Sequence, residues 1–261
     1  ESESRGLGDV YKRQILSHYE CTQPVTDARH MMGPFGWGVI KQALILGQWA
    51  LTGTGPGNDI GLAALSFLKT DESLDVPDIQ MHFIGALLKD HGKTKPDKHC
   101  FSNHVCMLRP ESRGYIALKS LNPTDQPLIQ PNYLSTQKDI DVMVKGVRMS
   151  REIINQKAFD EYRGVELNPG LEVQTDKDIE EFIRANAETI YHPVGTCKMG
   201  NDEFSVVDDK LRVRGVENLR VVDASVMPTL IGGNTNAPTI MIADKISDHI
   251  LGKDFLPVEN F

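Results

Sequence analysis

The residues best suited to chemistry lie in the last third of the 261-residue chain. His192 is followed at once by Pro193, and Asn234 and Asn236 lie about forty residues later, in a glycine-rich loop before an apolar stretch. An imidazole with a pKa of about 6.5 can accept a proton at neutral pH. A carboxamide can hydrogen-bond the same oxygen atom without competing for that proton. The pair is therefore suited to hold one small polar group, with Pro193 stiffening the backbone beside the imidazole.

Each of these residues taken alone has a more ordinary interpretation. A single histidine is more often a hydrogen-bonded structural side chain, and residues 234–236 fit a helix-capping turn. Before them, residues 219–222 are predicted as a short buried strand, and after them Pro238 fits the first turn of a helix that stops at Gly252. A strand, a glycine-rich loop and a helix N-terminus in this order suit an anionic or electron-rich ligand.

The composition is that of an ordinary folded chain, with 40% hydrophobic and 25% charged residues. The net charge is -8 and no basic block stands out, which argues against nucleic acid or an anionic membrane surface as a main partner. No stretch reaches the roughly eighteen consecutive apolar residues of a membrane span. The four cysteines favour free thiols in a reducing compartment, with two disulfides as the alternative.

The first fourteen residues do not fit the start of a domain. They lack an initiator methionine and an amphipathic period, and residues 5–14 resemble translated sequencing-adaptor sequence. We therefore expect residues 1–14 to be a non-native or disordered tail and exclude them from fold reasoning. The native part of the chain then begins at Ile15.

Hydrophobic periodicity predicts both strands and helices. His82 lies in a predicted strand, on the face opposite Met81 and Phe83, where a polar side chain lines a cavity or meets solvent; solvent is the commoner outcome. The predicted strands, expected to form an antiparallel sheet, are 78–85, 99–106 and 115–118. The predicted helices are a buried one in the apolar run 39–51, amphipathic ones at 139–154 and 175–186, and the last one after Pro238.

Two apparent binding motifs fail on structural grounds. The loop 53–57 has three glycines, but a dinucleotide fingerprint needs a strand before it and a helix after it, whereas a helix precedes this loop. Cys100, His104 and Cys106 share one face of a strand. Cys100 and His104 are nevertheless about 13 Å apart along it, too far to meet one zinc ion. We therefore predict no metal site.

The motifs of the last third closely resemble the carboxy-terminal half of the glucose-methanol-choline oxidoreductases. They are Tyr-His-Pro-Val-Gly-Thr-Cys-Lys-Met-Gly at 191–200, Leu-Arg-Val-Val-Asp-Ala-Ser at 219–225 and Gly-Asn-Thr-Asn-Ala-Pro-Thr-Ile-Met-Ile-Ala at 233–243. Within that family the sequence is most similar to choline dehydrogenases and acceptor-linked aliphatic alcohol dehydrogenases. The similarity extends from about Cys21 to Leu251.

The resemblance implies an α+β fold. It would combine an antiparallel-sheet substrate-binding domain with flanking helices and the last strand and helix of an incomplete Rossmann-like FAD domain. The expected division is a tail at 1–14, the substrate-binding domain at 15–200 and a segment at 201–261 that returns to the FAD-binding domain. The strand and glycine loop that bind the ADP part of FAD in this family are not found in the sequence. We therefore expect the 261-residue chain to be inactive by itself.

The resemblance also assigns residues to roles. It implies His192 as the catalytic base and Asn234 as its hydrogen-bonding partner in the oxidation of a primary alcohol, choline or an aliphatic alcohol, by hydride transfer to FAD. It implies His82 as a residue that lines the substrate cavity. Cofactor-binding positions implied by the same motifs are Asp223, Ala224, Thr235 and Asn236.

The implied partners are a small alcohol and an electron acceptor, a quinone or another. We expect a cytoplasmic protein, with peripheral association of the full-length enzyme at the inner face of the membrane left open. Two alternatives also stay open. One is a hydroxynitrile lyase, since the same fold serves non-redox enzymes, and the other is a truncated module without catalysis.

Overall fold

The computed structural model describes residues 12–23, 37–55, 62–87, 98–254 and 257, and the fold is mixed α and β. In these residues none of the helices is long and apolar enough to cross a membrane. The strands are β1 (Arg13–Cys21), β2 (Ala64–Leu68), β3 (Ile79–Ile84), β4 (Cys100–Met107), β5 (Tyr115–Ala117), β6 (Leu128–Gln130), β7 (Arg163–Asn168) and β8 (Glu188–Thr189). The helices are α1 (Trp37–Thr52), α2 (Gln137–Ile154), α3 (Asp176–Asn186) and α4 (Asn236–Ile250), with short 3-10 helices at Lys157–Phe159 and Ala224–Val226.

The chain divides into two compact units, each assembled from separate stretches. The sheet unit comprises Gln14–Met107 and Ile140–Glu188. The loop unit comprises Glu1–Arg13, Leu108–Asp139 and Thr189–Phe261. The expected boundary at 200/201 lies inside the loop unit, where the amides of Gly195, Cys197 and Met199 donate hydrogen bonds to the carbonyls of Ser225 and Val226.

The sheet unit is built on an antiparallel sheet with the strand order β2-β3-β4-β1-β7. Strands 79–84 and 100–107 confirm the first two predicted strands. The third, β5, pairs with β6 in a separate two-stranded sheet, so its predicted place in the main sheet is wrong. β1 begins at Arg13, so the strand includes the last two residues of the stretch set aside as a tail.

One face of the main sheet packs against α2. Ile79, Met81 and Val105 form a buried apolar cluster with residues of this helix. The approach is close at Gly146 of α2, since a Cβ atom there would lie 2.7 Å from Val105 Cγ1 and 3.1 Å from Ile79 Cδ1. The absence of a side chain at this position therefore lets the helix lie directly on the sheet.

The two amphipathic helices are confirmed, and α3 begins with the capping box expected from its sequence. Thr175 accepts a hydrogen bond from the backbone of Asp178, and the Asp178 carboxylate accepts one from the backbone of Thr175. Ile179 and Ile183 are fully buried, as the apolar stripe predicts.

The apolar run at 39–51 is helical, as predicted, but its predicted burial is wrong. Several large apolar side chains of α1 are exposed, including Leu44 at 68% and Leu51 at 88%. A run that is apolar on every side predicts a buried helix. Burial, however, depends on what packs around the helix, and in the described part of the chain these side chains stay largely uncovered.

The loop unit contains more irregular structure than the sheet unit. Residues 219–222 do not form the predicted buried strand: Arg220 makes one isolated bridge with Arg212, and Leu219 is 48% exposed. The last helix, α4, is present and Pro238 lies in its first turn, while Gly252 follows its end with a positive φ of 71°. A fold of mixed α and β elements with an antiparallel sheet and flanking helices is confirmed.

Candidate functional site

Within the loop unit, His192 is hydrogen-bonded to the loop that contains Asn234 and Asn236. Its Nδ1 lies 2.8 Å from the hydroxyl oxygen of Thr235, and the imidazole is partly buried. This contact brings His192 beside Asn234, because consecutive Cα atoms are about 3.8 Å apart. The hydrogen bond therefore joins the predicted imidazole to the loop that contains the predicted carboxamide, and the catalytic roles of the two residues stay a prediction.

Burial holds the pKa of His192 below its usual value, and the positive charge of Lys12 lowers the pKa further. Lys12 is buried and its ammonium group donates a hydrogen bond to the carbonyl oxygen of Gly233. A lowered pKa keeps the imidazole neutral at neutral pH, and a neutral imidazole is the form that can accept a proton. Lys12 itself belongs to the stretch that the sequence predicts to be a foreign or disordered tail.

The backbone at the histidine is in an unusual conformation. Tyr191 and His192 both have left-handed backbones, with φ angles of 64° and 58°. Bulky residues rarely adopt this region, and residues held there cluster at functional sites. The observation favours a site in which the direction of the imidazole matters.

The segment after the histidine is fixed by backbone hydrogen bonds to the second motif. The amides of Gly195 and Cys197 both donate to the carbonyl of Ser225, at 3.1 and 3.0 Å, and the amide of Met199 donates to the carbonyl of Val226 at 2.8 Å. A small apolar cluster lies beneath, formed by buried Val194, Met227 and Leu230. Together these contacts join the three motifs recognised in the sequence.

Asp223 and Ala224 lie at the start of the short helix that makes these contacts. Asp223 is exposed, and its carboxylate accepts a hydrogen bond from the amide of Ser225 at 2.8 Å. Ala224 is partly buried and packs against the apolar cluster. The carboxylate thus caps the 3-10 helix, while Ala224 contributes packing and backbone.

The glycine-rich loop and the start of α4 form the other half of the site. Asn234 and Asn236 are exposed, and Thr235, at the N-cap position of α4, makes no side-chain cap bond to the helix. At Gly232 a Cβ atom would lie 2.3 Å from Nη2 of Arg109, so this glycine leaves room for the guanidinium group. The packing of Arg109 was not predicted, since only the double glycine hinted at a close approach.

His82 belongs to the sheet unit, unlike the other predicted site residues. It is 9% exposed, so the commoner of its two alternatives, a side chain that meets solvent, is wrong, and its implied place in a substrate cavity stays a prediction. His82 lies in β3, and the residue opposite it in β4 is His104. His18 of β1 lies on the same face of the sheet, with its ring centroid 6.5 Å from that of His104. Sequence reasoning missed this histidine cluster because its members come from three strands whose register could not be predicted.

A metal site is not formed by these groups. Cys100 and His104 lie four residues apart on β4, and the described residues contain no group of three or more histidine, cysteine or acidic side chains placed to hold a metal ion. The four cysteines are free thiols in the structure.

Comparison with protein families identifies the class that this fold and site define. Residues 110–243 match the family model described as GMC oxidoreductase, which is just over half of the chain. The chain therefore belongs to the GMC oxidoreductase family, as the motifs indicated. The matched range includes all of the predicted site residues except His82.

Curated relatives and solved structures agree with this assignment. The chain is 43% identical over 244 residues to an oxygen-dependent choline dehydrogenase of Pseudomonas fluorescens and 44% identical to that of Cronobacter sakazakii, covering 94% of this chain in both cases. It spans only 42% and 43% of the length of these relatives. Among solved structures, a formate oxidase variant of Aspergillus oryzae has a TM-score of 0.83 at 21% identity and a pyridoxine 4-oxidase of Mesorbium loti a TM-score of 0.76 at 24% identity. Each alignment covers 96% of this chain, with 48% and 44% of the respective structures, and supports the fold.

Proposed function

We propose that the full-length protein containing this chain is an FAD-dependent dehydrogenase that oxidises a primary alcohol to the aldehyde. The observation that carries the proposal is the hydrogen-bonded contact between His192 and the loop of Asn234, within a chain that belongs to the GMC oxidoreductase family. The similarity to choline dehydrogenases supports choline as the substrate. An aliphatic alcohol is the alternative that the sequence motifs imply.

The residues at the start of α4 fit an electron-rich cofactor. Thr235 does not cap the helix with its side chain, and the exposed carboxamides of Asn234 and Asn236 flank this N-terminus. Uncapped amide groups at a helix N-terminus favour an anionic or electron-rich ligand. Asp223 is committed to Ser225, so that segment would contribute backbone groups and the small side chain of Ala224 to an FAD site. When bound, FAD supplies the acceptor for the hydride that leaves the alcohol carbon.

The chain's own residues have two tasks in this reaction. His192 would accept the proton of the substrate hydroxyl at Nε2, since Nδ1 is engaged with Thr235. Asn234 would donate a hydrogen bond to the same oxygen as negative charge develops on it. A general base contributes about 10²–10⁴-fold to a rate, and one hydrogen-bond donor to the developing charge contributes about 10²–10³-fold.

The electron acceptor and the location of the protein extend the proposal. A quinone or another acceptor would take the electrons, and the enzyme would be cytoplasmic. The alternative is that the full-length enzyme associates with the inner face of the membrane. A hydroxynitrile lyase is the second candidate from sequence, but similarity to choline dehydrogenases at 43–44% identity favours oxidation of an alcohol.

Replacing the proposed base tests the function. In the full-length protein loaded with FAD, His192→Gln should lower the rate of anaerobic flavin reduction by a primary alcohol about 10²-fold or more, since a glutamine cannot accept the proton. The matched control is His249→Gln, which changes a histidine of α4 outside the site. A His192→Gln enzyme that reduces its flavin at the wild-type rate would exclude the proposed base, and release of cyanide from a cyanohydrin would favour the lyase.

A further inference from the structure

The side chain of Thr235 occupies a position where threonine usually serves a helix. Threonine at an N-cap normally adopts an extended backbone and accepts a hydrogen bond from an amide of the first turn. Thr235 has φ -82° and ψ -12°, and its side chain makes no cap bond to α4. Its hydroxyl is instead 2.8 Å from Nδ1 of His192, 43 residues earlier in the chain.

The backbone of Thr235 is held in place by the first turn of α4. The carbonyl of Thr235 accepts a hydrogen bond from the amide of Thr239 at 3.1 Å and another from the Thr239 hydroxyl at 2.7 Å. These bonds fix the first turn of α4 without help from the Thr235 side chain. The side chain is therefore available to orient the imidazole at no loss to the helix.

The contact can be made in two ways that have opposite consequences. If Nδ1–H donates to the hydroxyl oxygen, Nε2 carries a lone pair and can accept a proton. If the hydroxyl donates to Nδ1, the hydrogen of the neutral ring is on Nε2, which then cannot act as a base. Which nitrogen of a histidine carries the hydrogen is set by the bond that the other nitrogen makes.

We propose that Thr235 is a positioning residue that accepts a hydrogen bond from Nδ1–H of His192 and so keeps Nε2 as the proton acceptor. The proposal rests on the function proposed above and deepens it, because it assigns Thr235 to the histidine rather than to the cofactor. The strained backbone at Tyr191 and His192 is consistent with an imidazole whose direction is fixed from both sides.

The tautomer can be measured without any activity. In the full-length protein with nitrogen-15-labelled histidine, identified by comparison with His192→Gln, the imidazole shifts should show the hydrogen on Nδ1 at a pH where the ring is neutral. Replacing Thr235 by valine should lower the pKa of His192, because an accepted bond is stronger for the cationic ring. Thr235→Ser should retain the wild-type tautomer and pKa. Lys12 is the charged group that acts on the ring and is the same in all variants.

Kinetics give the second readout. Thr235→Val should slow flavin reduction at saturating alcohol about tenfold, the value of one ordinary hydrogen bond, with little change in KM. Thr235→Ser should restore the rate. If valine prevents folding, Thr235→Ala provides the same comparison, since the wild-type side chain makes no bond to α4.

The outcomes separate the two proposals. Hydrogen on Nε2, or a pKa that rises in Thr235→Val, would overturn the role of Thr235 whatever the enzyme does. Wild-type activity in His192→Gln would overturn the proposed base, while the nuclear magnetic resonance result would still decide whether Thr235 accepts the bond.

Discussion

His104 should make the sheet unit sensitive to acid. The residue lies in β4 at 5% exposure, and its Nε2 atom has no hydrogen-bond partner among the residues that the structure describes. Burial, and then the neighbouring His18 and His82, lower its pKa to about 3. The ring is therefore neutral in the folded protein at neutral pH and still at about pH 5.

The direction and size of the effect follow from this pKa. An unfolded histidine has a pKa of about 6.5, so below that pH the unfolded chain takes up a proton that the folded chain does not. The contribution of His104 to stability is fully present above pH 6.5 and is lost as the pH falls towards 3. Each pH unit in this window corresponds to about 1.4 kcal/mol, so acidification from about pH 6.5 to about pH 5 should remove about 2 kcal/mol.

Urea unfolding at a series of pH values, followed by circular dichroism, measures this term. His104→Gln, which cannot titrate, should lose less stability than the wild type between neutral pH and pH 5. The matched control is Phe101→Leu, which removes packing on the opposite face of the same strand and should lower stability by a similar amount at every pH. A His104→Gln protein with the wild-type dependence on pH would refute the reasoning.

Two further perturbations test packing and capping. Gly146→Ala should destabilise the protein by about 1–2 kcal/mol, because the new Cβ overlaps Val105 and the gain in helix propensity offsets only part of the strain. At Gly47 no atom of the described residues lies within 4 Å of the position that a Cβ atom would take, so Gly47→Ala should instead stabilise the protein, and urea midpoints measure both changes. Thr175→Ala should remove the bond to Asp178 and lower the stability of α3 by about 1 kcal/mol, with Thr175→Ser as the control and amide hydrogen exchange in the first turn of α3 as the measurement.

The parts of the fold that sequence could predict are those whose stability is local. Helix α3 was predictable from the capping box at Thr175 and the apolar stripe of Ile179 and Ile183, since both signals lie within a dozen residues. Strand β3 was predictable from its alternation. The burial of His82 was not, because alternation says only that the side chain lies on the second face and does not say what covers it.

The sequence predicted burial wrongly for two apolar runs, because the residues that pack against a run cannot be identified from its own sequence. Residues 219–222 have the composition of a buried strand, yet Leu219 is 48% exposed and only isolated bridges form nearby. Leu44 and Leu51 of α1 belong to a helix that was predicted correctly, but they are exposed. Propensity predicted the conformation of α1 but not that of residues 219–222, and it predicted the burial of neither run, because burial depends on tertiary contacts.

At the site, sequence identified residues but could not assign contacts. His192 and Asn234 were recognised because their motifs resemble a family, and a hydrogen bond joins His192 to Thr235, the residue that follows Asn234. Thr235 was assigned to the cofactor because the motif at 233–243 that contains it resembles that of the family. Its contact with His192 depends on how two loops meet, and no spacing in the sequence reports that.

The strained backbone at Tyr191 and His192 requires that the loops around it are held by packing and hydrogen bonds. Left-handed conformations at Tyr191 and His192 each cost about 1–3 kcal/mol and persist only where the surroundings hold them. The residues that follow His192 in the chain supply these contacts. Val194 is buried in the apolar cluster, and the amide of Gly195 donates a hydrogen bond to the carbonyl of Ser225. His192 lies two residues before Val194, and its Nδ1 contacts Thr235 at the N-cap of α4. Loss of packing at Val194 should therefore act on the histidine before it acts on the rest of the fold.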